Sequence, residues 1–512
     1  MAKKLIAVID IGSLTARIKI FEVNAKGKPK EIEAVRKFTG LGSRSYRSGT
    51  IQPEQVDELC KCLKMFDEKC REYGVVRVFC VATSAFRDAT NADIVIEKIR
   101  TRTGFKIKVL DNSMERYYQT IAVQALYPDF GKMIENGTMI LDIGSGSLQA
   151  SVYDKSEFVF SQNLLLGSLR IAGMLNDLQS RTTHYDEVLQ EFIGQDLDDY
   201  HAMEPKGIIY KNLIAFSGEM GYIKQLAGYD AMSSVTLTKE EFLKVYNYLL
   251  KVRPTDLTLE KNIPSMIAPL LLPTALIVKN MLDYTGVETI YMPHASLSDG
   301  IIYYYCVNSQ GLKTEISPDS YLISASRHIA KRYRSSKKHI EYVEKTALQF
   351  FDETKKISGL GSRDRLLLQV AVILHEIGKF VHARNHSDAA YSVIKNTNLM
   401  GLDHDEINMV AMIVRLYPRN KPYDSYYYSI LPSDQKVIVS KLASILKIAD
   451  AVDASHKEKG KKISCKIKDN EFVITCDTSE DMSFEKWAFE NRSVMFEDVM
   501  GIKPVLKTRR EG

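Results

Sequence analysis

Two short stretches constrain this chain more than anything else in it. They are Ile6-Ala-Val-Ile-Asp-Ile-Gly-Ser-Leu-Thr15 and, about one domain length later, Met139-Ile-Leu-Asp-Ile-Gly-Ser-Gly-Ser-Leu-Gln149. Each is an apolar run ending in Asp, then Ile-Gly-Ser, then a second extended run, Ala16 to Val23 in the first copy and Gln149 to Tyr153 in the second. Apolar runs of this length flanked by Gly and Ser predict two strands joined by a tight turn. Glycine lets the turn's backbone come close to a ligand, and successive N–H groups form an anion-binding concavity. A carboxylate at the strand end beside such a turn suits magnesium, which prefers hard oxygen ligands and bound phosphate. One copy alone would predict only a hairpin. The doubling, with Asp10 matching Asp142 and Ser13 matching Ser145, predicts a duplicated fold gripping a phosphorylated ligand between its halves.

The rest of the chain fits that frame. With 512 residues it has room for about three or four domains. A net charge of +5 is small for this length and makes no demand for nucleic acid as a partner. Seven scattered cysteines predict buried thiols in a reducing compartment, and Cys60-Lys-Cys62 lacks the second pair a zinc site needs. Met-Ala-Lys-Lys leads directly into the first strand, and no apolar run approaches the ~20 residues of a membrane span. The expectation is a cytoplasmic protein without a membrane partner.

Along the first half, strands alternate with helices: Gln52 to Tyr73 and Asn91 to Arg102 as helices, Val75 to Val81 and Phe105 to Leu110 as strands. Gly40 to Gly49 reads as a polar loop carrying Arg44 and Arg47. The plan restarts near Gly137, with Leu213 to Glu219 a strand running into a turn. From about Ser317 the texture becomes all-helical, with apolar stripes in segments such as His339 to Thr354, Arg363 to Glu376 and Lys436 to Ala454. Lys457-Glu-Lys-Gly-Lys-Lys462 reads as a charged linker. Beyond it, Ile463 to Thr475 forms a hairpin around Lys468-Asp-Asn470, followed by a helix and a last strand.

Together these residues resemble the exopolyphosphatase/guanosine pentaphosphate phosphatase family over nearly the full length. The matches are Asp10-Ile-Gly-Ser13 with Arg17, Ala82-Thr-Ser-Ala-Phe-Arg87 with Asn91, Glu115, Asp142-Ile-Gly144 with Gly146-Ser147, Leu166-Gly167 with Arg170, and Ser298-Asp-Gly300. The Thr-Ser-Ala-x-Arg-x-Ala-x-Asn pattern is the most specific of them. The resemblance implies an α/β fold: two actin-like (RNase H-like) domains at 1–130 and 131–312, an all-α HD-like domain at 313–456 and a small α+β domain at 457–512. It also implies homodimers.

The same resemblance implies roles. Glu115 would activate water against a terminal phosphorus, with Gln149 in the place of a second catalytic carboxylate. Arg87 would hold phosphate by its guanidinium fork. Gly12, Ser13, Thr15 and Arg17 in the first turn, and Gly144, Ser145, Gly146 and Ser147 in the second, would bind phosphate. Asp10 and Asp142 would place magnesium or another divalent cation. A groove lined by Arg17, Arg44, Arg47 and Arg87 would carry a polyanion. Phosphoryl transfer needs this kind of positioning and charge neutralisation more than covalent chemistry.

Departures from the family pattern include Leu14, Ser145, Leu148 and Gln149. The amide at Gln149 keeps the oxygen and loses the charge, so divalent-metal affinity should fall. In the helical part, His339, His375-Glu376 and Asp450 follow the HD order of metal ligands with Glu in place of Asp, and His386 and Ser387 lie where related domains often carry another His. The leading expectation is a phosphohydrolase that releases orthophosphate from polyphosphate, and also from guanosine pentaphosphate. The alternatives are a catalytically weak sensor of polyphosphate or of guanosine tetra- and pentaphosphate, and chemistry at the HD-like site. Phe216-Ser-Gly-Glu-Met220 lacks the glycine pair expected of a kinase's adenosine contact.

Overall fold

The first Asp-Ile-Gly-Ser stretch turns the chain back on itself. In the computed structural model, which describes residues 4–179, 181–182, 184–314, 317–419 and 426–510, β1 (Lys4–Ile11) and β2 (Thr15–Val23) pair antiparallel with Asp10 opposite Arg17. β3 (Pro29–Phe38) extends the meander, while β4 (Arg77–Ala82) and β5 (Lys108–Val109) run parallel to β1 after helical crossovers. The sheet order is β3-β2-β1-β4-β5. The helix Pro53–Tyr73 lays Val56, Leu59, Leu63 and Phe66 against Ile9, Ile18 and Ile20 of the sheet, as its apolar stripe requires.

The second stretch builds the same plan again. β6 (Gly137–Ile143), β7 (Leu148–Asp154) and β8 (Glu157–Leu164) form a meander with Asp142 opposite Gln149. β9 (Tyr210–Phe216) is parallel to β6, and β11 (Thr289–Met292) is parallel to β9. β10 (Val235–Thr238) adds an antiparallel edge, giving the order β10-β11-β9-β6-β7-β8. Asp10 and Asp142 therefore occupy equivalent strand ends. Both sheets belong to one compact unit, Met1–Pro318.

One segment differs from the sequence expectation. Gly40 to Gly49 is not a loop but the helix Leu41–Ser48, held between glycines at both ends. Its polar composition hides the reason: Leu41, Gly42 and Ser45 are buried, and the Gly42 amide donates to the Ser13 carbonyl at 2.7 Å. Arg44 and Arg47 are left on its exposed side.

The second unit, Asp319–Gly512, packs the helices Lys337–Ser358, Ser362–Leu374, His404–Leu416 and Ser433–Ala451 around one apolar core. β12 (Lys462–Lys468), β13 (Glu471–Thr478) and β14 (Lys503–Arg510) form a three-stranded sheet in that order. The β12–β13 turn places Asp469 and Asn470 at φ 50° and 63°, the primed geometry that matches strand twist. Phe472, Ile474 and Phe496 join the core of the helices, so the C-terminal segment shares its interior with the preceding helices. Lys457 to Lys462 is folded back: the amides of Lys457 and Glu458 donate to Asp453, and Lys459 Nζ donates to Glu485 at 2.9 Å. Among the described residues no helix is long and apolar enough to cross a membrane.

Candidate active site

The two turns are built alike. Gly12 N–H donates to the Thr15 carbonyl at 2.9 Å, and Gly144 N–H donates to the Ser147 carbonyl at 2.8 Å. Each turn then docks its carbonyls on the start of a helix. The Ser13 carbonyl accepts from Gly42 at the start of Leu41–Ser48, and the Ser145 carbonyl accepts from Leu169 and Arg170 at the start of the helix Ser168–Gln179. Carbonyls engaged with helix N-termini leave the opposite, N–H side of each turn for an anion.

Between the turns lies a cleft of about 450 Å³. Gly12, Ser13, Thr15 and Arg17 from the first turn line it, as do Gly144, Ser145 and Ser147 from the second, and Asp10, Glu115 and Asp142 face the same space. A fourth acid, Glu219, joins them from the turn after β9, where Ser168 donates to its Oε1 at 2.9 Å. Burial raises all three of Asp10, Asp142 and Glu219. Asp10 reaches about 6, with Glu115 pushing it up and Arg17 and Lys19 holding it down. Asp142 stands well above the usual carboxylate range, because Glu115, Asp10 and Glu219 add to burial while only Arg116 opposes them. Hard oxygen donors that repel one another in a dry cleft are the donor set a divalent cation satisfies.

Arg17, Lys19, Arg36 and Lys224 are the basic residues of the cleft's wall, with Lys19 already paired to Glu31 and Asp299 and Lys224 donating to the Ser233 carbonyl. Arg44, Arg47 and Arg87 are not part of that wall. The Arg87 guanidinium sits behind Glu115, donating to its Oε2 at 3.0 Å and to the Leu110 carbonyl at 2.7 Å. Gly146 and Gln149 also lie outside the lining. Gly146 is packed beneath Tyr46 and Ser84, so closely that a Cβ there would come within 2.0 Å of the Tyr46 hydroxyl. Gln149 is buried, and its Oε1 has no hydrogen-bond partner among the described residues. The fourth motif residue, Asn91, is structural: its amide closes two bonds with the backbone of Ile51.

Sequence reasoning missed Tyr46, Ser84, Arg170 and Glu219 as a group. The hydroxyls of Ser13, Tyr46 and Ser84 bond one another in a triangle. Arg170 lies over the Tyr46 ring at 4.2 Å, pairs with Asp88, and donates to the Gly146 carbonyl at 2.8 Å. These contacts clasp the first turn to the second. Arg170 and Ser84 fall within the family matches, which say nothing of their contact; nothing in the sequence marks Tyr46.

The Ser298-Asp-Gly300 match has a scaffolding role. Asp299 accepts from the amide and hydroxyl of Ser296 at the start of the helix Leu297–Gln310, and it pairs with the buried Lys19 at 3.0 Å. At Gly300, a Cβ would lie 1.8 Å from the Tyr118 carbonyl, so only glycine allows this helix so close to the Glu115 helix, Asn112–Leu126.

In the second unit, His339, His375 and Glu376 bring one ligand atom each within 4.8 Å of one another. Asp450 is 3.2 Å from His339 Nε2 and 3.7 Å from His375 Nε2. Asp453 fixes Nδ1 of His339 at 2.7 Å, and the Val372 carbonyl fixes Nδ1 of His375 at 2.6 Å, so both Nε2 atoms point inward. Protein cations already meet the acids, Lys379 on Glu376 and Arg492 on Asp450. Burial alone would lower His339, but its bonds to Asp450 and Asp453 override that and raise it to about 9. His386 stands apart from the cluster, with its Nε2 3.3 Å from the Tyr417 hydroxyl.

A duplicated strand–turn–strand with acids at both strand ends, closing on one cleft, defines the first unit as a phosphate-handling α/β protein of the actin-like class. Residues 20–308 match the Ppx/GppA phosphatase family, and residues 323–491 match Ppx/GppA phosphatase, domain III. The chain belongs to this family. It is 20% identical over 459 residues to a guanosine-5'-triphosphate,3'-diphosphate pyrophosphatase of Aliivibrio fischeri, covering 86% of this chain and 85% of that one. It is 28% identical over 166 residues to exopolyphosphatase 1 of Mycobacterium tuberculosis, a match covering 32% of this chain and 47% of that protein. A crystal structure of an exopolyphosphatase from Cytophaga hutchinsonii shares the fold, with a TM-score of 0.52 at 21% identity over 60% of this chain and 99% of that one.

Proposed function

We propose that the first unit removes terminal orthophosphate from inorganic polyphosphate and from guanosine pentaphosphate. The observation that carries this is the convergence of Asp10, Glu115, Asp142 and Glu219 on one cleft that Arg17, Lys19, Arg36 and Lys224 also line. Glu115 takes a proton from the attacking water, and Arg87 holds its carboxylate in place from behind. The Gly-Ser turns receive the terminal phosphoryl oxygens, and the basic wall carries the rest of the chain. Asp10 and Asp142 would hold magnesium, which when bound neutralises phosphoryl charge. The names of the Aliivibrio and Mycobacterium relatives support both substrates.

The test is orthophosphate release from polyphosphate and guanosine pentaphosphate by the parent and by Glu115→Ala. A loss of about 10³-fold is expected, within the span of general-base catalysis. Equal release from both proteins overturns the assignment. The seven unpaired thiols support a cytoplasmic setting, and sedimentation tests the homodimer that family resemblance suggests.

A second reading concerns the second unit alone: a divalent-cation site at His339, His375, Glu376 and Asp450. The buried Nε2 of His375, which has no hydrogen-bond partner among the described residues and faces Asp450 at 3.7 Å, supports it. A bound ion there would displace Lys379 and Arg492. Metal retained through gel filtration by the parent and lost in His375→Ala is the expected result.

A further inference from the structure

The wall of the cleft holds one titratable ring that no motif accounts for. His294 lies in the segment between β11 and the helix Leu297–Gln310, and it lines the same space as the two turns. Its backbone is fixed, because the His294 amide donates to Ser234 Oγ at 2.9 Å, just ahead of β10. The side chain is half-buried and makes no hydrogen bond to another described residue.

The charges around this ring are lopsided. Lys19 and Arg17 face it from β2 and Lys224 from the helix Met220–Leu226, against a single acid, Asp299, at the start of Leu297–Gln310. That acid is committed, since it accepts from Ser296 and pairs with Lys19. Glu31 of β3 is turned to Lys19 as well. Burial first, and then the cations with Lys19 foremost, hold the imidazole below its usual 6.5, so the free ring is mostly neutral near pH 7. A phosphate chain in the cleft reverses this field. It offsets the repulsion from Lys19, Lys224 and Arg17 and offers acceptor oxygens to the ring, and both effects favour the charged form. Lys19 and Lys224 already have partners in the protein, whereas the imidazole has its donors to give.

We infer that His294 is a further contact for the phosphate chain and takes up a proton from solvent as the chain binds, so that this cleft grips polyanions more tightly in mildly acidic solution than in alkaline. The inference deepens the phosphohydrolase reading and rests on it, but it is read out by binding alone. The sign follows from linkage. The added affinity is fully present below the titration of the free ring and is lost as pH rises through that of the bound ring.

Calorimetry of tripolyphosphate binding in EDTA tests this at about pH 6 and about pH 8.5, in two buffers of different ionisation enthalpy, for the intact parent chain, His294→Gln and His294→Lys. His294→Gln keeps a neutral donor. It should bind about tenfold more weakly than the parent at the acid end, the low end for a hydrogen bond to a charged group, and within about twofold of it at the alkaline end. At the acid end the parent should also take up about half a proton more per chain bound than His294→Gln does. The terminal phosphates of the ligand and the acids Asp10, Glu115, Asp142 and Glu219 of the cleft are common to all three proteins, so the difference between variants isolates the ring. His294→Lys, whose charge persists, should bind about tenfold tighter than the parent at the alkaline end. Equal affinity of parent and His294→Gln at the acid end, equal proton uptake, or a loss of the same size at both ends overturns the inference. Should His294→Gln fail to fold, His294→Lys decides: tighter alkaline binding than the parent supports the inference, and equal or weaker binding overturns it. A parent that binds no tripolyphosphate at either pH overturns the polyphosphate reading along with it, whereas binding that ignores the His294 changes overturns the inference alone.

Discussion

The two Asp-Ile-Gly-Ser turns have the same backbone and different electrostatics, because Arg17 and Lys19 hold Asp10 down while Glu115, Asp10 and Glu219 together raise Asp142. Asp10 faces Arg17 across β1–β2, while Asp142 faces Gln149 across β6–β7. Desolvation and neighbouring acids raise both, yet Asp10 is held at about 6 and Asp142 is driven further from its usual range. A duplicated fold thus provides two copies of one turn and tunes them separately through the charged groups around each. Asp142 has the greater need of an external positive charge.

The sharpest way to break that comparison is to neutralise each acid in turn. If both acids hold magnesium as proposed, Asp142→Asn should lower phosphate release at saturating magnesium about 10³-fold, and Asp10→Asn about 10²-fold, since losing a metal-binding charge is worth several kcal/mol. A larger loss in Asp10→Asn would show that the surrounding charges do not rank the two acids in this way.

The next largest effect is on stability. The rise of Asp10 from 3.8 to about 6 corresponds to about 3 kcal/mol. Because the folded chain holds a proton that the unfolded chain releases, this contribution is fully present below pH 3.8. It is lost progressively as pH rises to about 6, then levels off. Chemical denaturation of the metal-free protein across that window should show a slope in the parent that flattens in Asp10→Asn. Magnesium should restore stability above pH 6, where the carboxylate is ionised. An unchanged slope in Asp10→Asn would mean that Asp10 is not the titrating group.

Much of this was legible in the sequence because it is local. The two hairpins, the helix Pro53–Tyr73, and the turn at Asp469 and Asn470 all follow from short-range pattern and turn chemistry. Asp10 and Asp142 are legible from the doubled Asp-Ile-Gly-Ser pattern, whereas Glu115 enters only through the family resemblance. What escaped lies between elements far apart in the chain. Leu41–Ser48 has no apolar periodicity, and its helix is fixed by a bond from Gly42 to Ser13. Arg87 suits phosphate by chemistry, but a partner 28 positions on, Glu115, takes it. Lys457 to Lys462 looks like a solvated linker by charge alone, yet Asp453 and Glu485 hold it down.

The clasp between the turns gives two smaller tests. Gly146→Ala would push a Cβ into the Tyr46 hydroxyl and Ser84, whereas at Gly12 the nearest atom to a new Cβ is the Thr15 carbonyl at 3.3 Å. Overpacking of this kind costs about 1–3 kcal/mol, so thermal unfolding should fall clearly for Gly146→Ala and much less for Gly12→Ala. Equal losses would mean that both turns have the same freedom to shift, and that the clasp does not restrain the second.

Tyr46→Phe is the mildest change, because the ring and its stacking on Arg170 remain. It removes one hydroxyl that bonds Ser13 and Ser84, worth about 1 kcal/mol as a net hydrogen-bond contribution. Ser13 and Ser84 still bond each other at 2.9 Å, so one of the triangle's three bonds remains. The expected result is a rise in KM for polyphosphate of about fivefold, the equivalent of that 1 kcal/mol, with kcat nearly unchanged, because the hydroxyl shapes the cradle and touches no reacting atom. A fall in kcat with KM unchanged would instead place the Tyr46 hydroxyl among the groups that act only in the transition state, and the first turn would then be more than a cradle.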